Sequence, residues 1–257
     1  MSTDSLEASC HQLCLRRHRR TVLTGIDCAF EPFQLTAVAG PNGAGKSSLL
    51  ATLAGVLTPS SGRVELGGRD ADQLSALQRA RISAYLPQAE SPAWSFVAAD
   101  LVGVGLLPWG RIANRQQRIH WALQQVDAGA LAGRPVTHLS GGELRRVQLA
   151  RLLVGEAPLL IADEPTAALD IRHQLQLMQT FRTLAAGGKT VVLALHDLQL
   201  AARYCDRILL LEQGQLRAQG TPEEVLTPDL VSEVYGVSSS LRRRNGVTEF
   251  MPLDLLL

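Results

Sequence analysis

The clearest chemistry in this chain lies in Gly40-Pro41-Asn42-Gly43-Ala44-Gly45-Lys46-Ser47, which fits G-x-x-x-x-G-K-[ST]. Leu35-Thr36-Ala37-Val38-Ala39, just before it, is an apolar run of strand length, and Ser48-Leu49-Leu50-Ala51-Thr52-Leu53-Ala54, just after it, reads as a helix. A strand, a glycine loop and a helix N-terminus aim successive backbone N–H groups at one point, where a phosphate is stabilised. Gly43 and Gly45 permit backbone angles that a Cβ would forbid. Lys46 is expected to reach the β- and γ-phosphates, Ser47 to offer its hydroxyl to Mg²⁺, and Ser48 to sit beside them in the nucleotide-binding set. The bland alternative, a glycine turn that merely joins strand to helix, is disfavoured by the flanks.

Three further groups have the right types for handling a nucleotide. Asp163 and Glu164 follow the apolar run Leu159-Leu160-Ile161-Ala162, which in a parallel sheet places two carboxylates at a strand's C-terminal end, where ligands bind. Asp163 is expected to hold Mg²⁺ through water, and Glu164 to orient the attacking water or take its proton. His196 also ends an apolar strand and is placed to contact the γ-phosphate and the water, although a lone His at a strand end is more often structural. Gln88, again after a strand, is a candidate for Mg²⁺ or water and is uninformative alone. Ser140-Gly141-Gly142 opens a helix, so its free N–H groups make a second anion site. One nucleotide already has one phosphate loop, so the second site suggests service to another copy of the chain; a glycine turn capping a helix is the plain alternative.

The elements that must position these residues follow from periodicity. Residues 11–30 look like two short strands joined by the basic turn Arg16-Arg17-His18-Arg19-Arg20, and Arg63-Val64-Glu65-Leu66 and Ala80 to Leu86 read as strands. The stretch from about 90 to 139 has no strong strand and reads as a helical insertion, with Ile119, Ala122, Leu123 and Val126 on one face. Helices are expected over about 143–155, Ile171 to Ala186 and Leu198 to Tyr204, a fully apolar strand over Thr190 to Leu195, and a hairpin turning at Gln213-Gly214. Thr221-Pro222-Glu223-Glu224 has the cap, proline and glutamate of a helix start.

Composition narrows the classes. A net charge of +1 gives no hint of nucleic acid, and aromatics at 4% argue against a stacking platform for single strands. No apolar run approaches the roughly 20 residues that span a bilayer, and the polar start Met1 to Ser9 lacks a signal core, so a cytoplasmic chain is expected. Cys10, His11, Cys14 and His18 cluster, but their spacing matches no zinc template.

Taken together and in this order, the phosphate loop (40–47), Gln88, Leu139-Ser140-Gly141-Gly142-Glu143, the strand ending in Asp163-Glu164, Ala168-Leu169-Asp170 and His196 resemble the ATP-binding cassette ATPases over about residues 11–236. The resemblance implies an α/β fold: a P-loop NTPase core with a mixed, mainly parallel sheet, an N-terminal antiparallel β subdomain and an inserted α-helical subdomain. It divides the chain into a RecA-like core of about 1–89 and 140–225, a helical subdomain of about 90–139 and a C-terminal helical extension of about 221–257. It also implies a head-to-tail homodimer with two ATP and Mg²⁺, each nucleotide meeting one copy's phosphate loop and the other's Ser140-Gly141-Gly142.

Narrower stretches, His196-Asp197-Leu198-Gln199-Leu200-Ala201-Ala202-Arg203-Tyr204-Cys205-Asp206, Leu107-Pro108-Trp109-Gly110-Arg111 and Gln219-Gly220-Thr221-Pro222, resemble ATPases of iron-chelate, haem and cobalamin importers. That implies two membrane permease subunits met near Gln88 and residues 90–112, a periplasmic or lipoprotein binding protein further out, and a place on the cytoplasmic face of a bacterial inner membrane. A soluble cassette ATPase acting on DNA or ribosomes and a small-molecule kinase stay open as alternatives. In one respect the chain departs from the family pattern: the family usually stacks adenine on an aromatic residue in the first hairpin, and aligning Leu13 to Leu23 puts Arg17 there, with His18 beside it. A guanidinium stacks on a base, so Arg17 or His18 is expected to substitute.

Overall fold

The computed structural model describes residues 6–17, 20–88 and 96–255. Its N-terminal part is antiparallel: β1 (Ala8–Arg17), β2 (Arg20–Phe30), β4 (Ser61–Leu66) and β5 (Arg69–Asp70) form a four-stranded sheet in the order β2-β1-β4-β5. Between its second and third strands in the chain run β3 (Leu35–Ala39) and α1 (Lys46–Leu53). Residues 1–5, 18, 19, 89–95, 256 and 257, within stretches named above, lie outside the described residues.

The larger sheet has six strands, adding β6 (Ser83–Leu86), β7 (Leu159–Asp163), β8 (Thr190–Ala194), β9 (Arg207–Glu212) and β10 (Gln215–Gly220), in the order β10-β9-β3-β8-β7-β6. All its neighbours are parallel except the β9–β10 hairpin. Every residue of β3, β7 and β8 is buried. Their side chains alternate between two cores, as a strand's period of two requires. Leu35, Ala37, Leu160, Ala162, Val191 and Leu193 face one core; Val38, Leu159, Ile161, Val192 and Ala194 face the other, with Leu49, Leu50 and Leu53 of α1 and the antiparallel sheet. Burial on both faces is why these strands are unbroken apolar runs.

The first core is closed by α3 (Ala98–Val104), α4 (Arg115–Gln125), α5 (Gly141–Leu153), α6 (Ile171–Ala186) and α7 (Leu198–Tyr204). The helical insertion is therefore present: between 96 and 139 the described residues hold α3, α4 and short 3₁₀ turns, with one isolated bridge, Val97 to Pro135.

Two expectations need correction. Residues 80–86 are not one strand. A helix, α2 (Ala76–Ile82), occupies the first part, because Ser75 and Gln78 form a capping box that starts it, and only β6 is extended. The C-terminal helical extension of 221–257 stops at Tyr235. After α8 (Pro222–Val225) and α9 (Pro228–Tyr235), Gly236 takes a left-handed φ of 67° and ends the helix. The chain then forms a hairpin, β11 (Val237–Arg244) and β12 (Val247–Leu255), turning on Asn245 and Gly246, both with positive φ, as a two-residue hairpin turn demands. Phe250 of β12 is buried in the main core, so this hairpin belongs to the same folding unit. Phe250→Ala is expected to lower stability by about 3 kcal/mol in chemical denaturation. A loss below about 1 kcal/mol would show the hairpin folding separately.

Candidate functional site

The register of the parallel strands builds the site. Val38 pairs with Ala194, Asp163 with Ala194 on its other side, and Leu86 with Ala162. β3, β8, β7 and β6 therefore end at one edge, and the residues just past those ends are Gly40, His196, Glu164 and Gln88. An open cleft of about 440 Å³ lies there, lined by Val22, Asn42, Gly43, Ala44, Gly45, Lys46, Ser47, Ser48, Gln88, Glu164 and His196.

The loop conformation needs its glycines at two points. Gly45 caps α1 with a φ of 102°, and a Cβ there would sit 2.8 Å from Leu23 Cδ2. Gly40 has a φ of 147°, and a Cβ would lie 2.2 Å from the Leu211 carbonyl oxygen. Tyr235 of α9 receives the Gly40 N–H, while burial pushes its hydroxyl up to about 12. Lys46 is buried and donates from Nζ to the carbonyls of Gly40 (2.7 Å) and Pro41 (3.0 Å). Neither Gly40 nor Pro41 lines the cleft; both act through these carbonyls. Desolvation pulls the Lys46 pKa down, opposed by the nearby charges of Glu164 and Asp163.

Asp163 is buried, and desolvation raises its pKa, while a hydrogen bond with the Ser47 side chain lowers it. Its Oδ1 is buried without a hydrogen-bond partner among the described residues. An orphaned carboxylate oxygen beside a serine hydroxyl at a helix start is a donor set that fits a hard, oxygen-seeking cation. Glu164 takes a left-handed φ of 48°, its N–H bonds the Ala194 carbonyl (3.2 Å), and its Oε1 bonds His196 Nε2. The two side chains differ in exposure, 17% for Glu164 and 44% for His196, so the carboxylate is sheltered behind the imidazole.

The structure thus brings together Asn42 to Ser48, Gln88, Asp163, Glu164 and His196. It does not bring Arg17, which is exposed at the end of β1 opposite Arg20; the first hairpin instead contributes Val22 to the cleft wall. His18 lies outside the described residues. Ser140, Gly141 and Gly142 also stand apart from this cleft. Ser140 caps α5, its N–H bonding Glu143 Oε2 (2.8 Å) and its Oγ accepting from the Glu143 N–H (3.3 Å), with Arg134 on Glu143 (2.8 Å). Gly142 approaches the Ala168 carbonyl so closely that a Cβ would be 2.9 Å away. Sequence reasoning missed Val22, whose apolar type carries no signal, and Arg145. It also overlooked the Ser140-x-x-Glu143 capping pattern, which was readable.

A phosphate loop at the edge of a mainly parallel sheet, with an aspartate and a glutamate ending the strand two places along, defines a P-loop nucleotide hydrolase. A profile described as ABC transporter matches residues 23–167, and the chain belongs to that family, as an ATP-hydrolysing, nucleotide-binding subunit. The hemin import ATP-binding protein HmuV of Pseudomonas entomophila is 48% identical over 231 residues, covering 88% of this chain and 91% of that one. The protein of that name from Pseudomonas aeruginosa is 44% identical over 237 residues, covering 90% and 93%. Among solved structures, an inward-facing metal-chelate type ABC transporter aligns with a TM-score of 0.81 at 24% identity, over 96% of this chain and 98% of that one. The dimeric bacterial cassette MJ0796 aligns at 0.76 and 24% identity, over 84% and 98%.

Gly45→Ala is expected to lower stability by about 1–3 kcal/mol, through the strained φ, and to weaken ATP binding about tenfold or more. Thermal melting and titration with a fluorescent ATP analogue measure the two effects, and wild-type values in both would show that the loop does not need this backbone angle.

Proposed function

We propose that this chain is the ATPase of a bacterial importer for an iron chelate, and that the chelate is haem. The observation that carries the ATPase half of this reading is the common edge: the register of four parallel strands sets Lys46, Glu164, Gln88 and His196 around one cleft, with Asp163 buried against Ser47 of its wall. The cargo half rests on relatives named for hemin import that align along most of their length.

In this reading Asn42 to Lys46 wrap the phosphates with backbone N–H groups, and Lys46 turns its ammonium from the loop carbonyls toward the terminal phosphates. Ser47, Asp163 and Gln88 would hold Mg²⁺, which would neutralise charge building on the phosphates. Glu164 accepts the proton of the attacking water, and His196, bonded to it, fixes its carboxylate and faces the terminal phosphate. Ser140, Gly141 and Gly142 stand away from their own chain's cleft, which supports a role toward the nucleotide of a second copy. Two copies would then close around two ATP, with charge-assisted bonds completed only when both halves meet. Closure would pull on two permease subunits through the face near Gln88 and the 96–112 segment. There Leu107 is 69% exposed, and Arg81 fixes the segment by bonding Pro108 O (2.8 Å) and stacking over Trp109. No described helix is long and apolar enough to cross a membrane, so membrane attachment on the cytoplasmic face would come through those permeases, with a binding protein delivering cargo outside.

Glu164→Gln is expected to bind ATP, to hydrolyse it at least about 100-fold more slowly and to run as a dimer with ATP on gel filtration. Brisk hydrolysis by a monomer would reject the assignment. For cargo, proteoliposomes holding the chain with its permease are expected to take up hemin only with internal ATP. Uptake of a ferric siderophore and not of hemin would move the cargo to that class.

A further inference from the structure

Glu164 keeps a backbone conformation that disfavours residues with a Cβ, at a cost of roughly 1–3 kcal/mol unless the surroundings enforce it. Besides backbone bonds to the Ala194 carbonyl and from the Ala167 N–H, the turn is held by one side chain on another element. Arg145 lies in α5, between Glu143 of the Ser140 capping box and the helix body, and is buried. Its Nη2 donates to the carbonyls of Asp163 and Glu164, both at 2.7 Å, and its Nη1 donates to the Pro87 carbonyl at 3.0 Å. Pro87 immediately precedes Gln88.

One guanidinium thus ties together the ends of two adjacent parallel strands, β6 and β7, at the positions from which both cleft side chains leave the sheet. The geometry suits arginine: a rigid planar fork reaches carbonyls on separate elements, whereas an ammonium on a flexible stem does not fix their relative placement. A buried cation needs such partners. Its charge also favours the ionised form of Asp163, against the desolvation that opposes it.

We propose that Arg145 is a positioning residue for ATP hydrolysis: its guanidinium holds the Glu164 backbone in its left-handed turn and sets the departure of Gln88. It thereby makes the water-handling carboxylate answer to the placement of α5. The proposal rests on the reading of Glu164 given under "Proposed function". Its consequence is directional. The N-terminus of α5 carries Ser140, Gly141 and Gly142, so a movement of that end, when a second copy's nucleotide engages it, is transmitted through the buried Arg145 side chain to the chain's own Glu164. ATP affinity, set by the loop from Gly40 to Ser47, lies off this path.

The test uses the full-length chain, with ATP turnover, ATP binding and thermal melting measured on the same samples. Arg145→Gln is expected to lower kcat on the order of 100-fold, the scale of an ångström-level misplacement, while the Kd for ATP changes by less than about 3-fold. Arg145→Lys, which keeps the buried charge without the fork, is expected to recover only a minor part of the rate; it decides the matter if Arg145→Gln does not fold. Added to Glu164→Gln, Arg145→Gln should cost no further rate, because both act on one step. The inference is overturned by an unchanged kcat, by full rescue with lysine, by equal losses in kcat and ATP affinity, or by losses that multiply in the double variant. Slow Glu164→Gln with normal Arg145→Gln sinks this inference alone. Wild-type turnover by Glu164→Gln removes the target of Arg145 and overturns both readings.

Discussion

Parallel strands paired in step are the constraint on which the cleft depends. Because Val38, Ala194, Asp163 and Leu86 fall close to one line across the sheet, four chain segments far apart in sequence leave the sheet side by side. A slip of one residue in any pair would reverse which side chains face each core, exchanging Val192 and Val191, for example, between cores of different shape. The two-sided core therefore does more than stabilise. It fixes the register, and the register fixes where Lys46, Glu164, Gln88 and His196 emerge.

Within that frame, the charged groups are held half out of water. Lys46 is satisfied by two carbonyls of its own loop, Asp163 keeps one oxygen without a partner, and Glu164 leans on His196. In the proposed reading, each arrangement leaves an interaction to be exchanged when phosphates arrive. Such arrangements also explain why the loop glycines cannot be replaced at little cost. Gly40 and Gly45 pass within contact of Leu211 and Leu23, so the loop is cast against two other strands rather than hanging free.

Much of this was legible in the residues. The glycine-lysine-serine loop, the paired carboxylates after an apolar run and the histidine after another carry both their chemistry and their place, since fully buried strands show as unbroken apolar runs. What was not legible has physical reasons. Arg145 and Arg146 are adjacent arginines in a helix, and only packing decides that the first turns inward to three carbonyls while the second bonds the Asp127 carbonyl. Val22 enters the cleft wall because its strand passes against Gly45 of the loop, which its type does not announce. Arg17, expected over the base from alignment alone, stands clear of the cleft wall. The helix over Ala76–Ile82 and the hairpin after Gly236 did have signals, a capping box and an Asn-Gly turn, that the apolar pattern outweighed.

The central position of β3 bears on how this protein comes to exist on the ribosome. The strand that carries the phosphate loop is bordered by β8 and β9, whose residues run from Thr190 to Glu212. Until that much chain has been synthesised, β3 has neither neighbour, Gly40 has no Leu211 to rest against, and the loop has no fixed shape. The nucleotide-binding end of the molecule is thus translated early and assembled late, through contacts of high sequence separation, which are slow to form. During that interval β3, every residue of which is buried in the finished fold, is unpaired and open to chaperones.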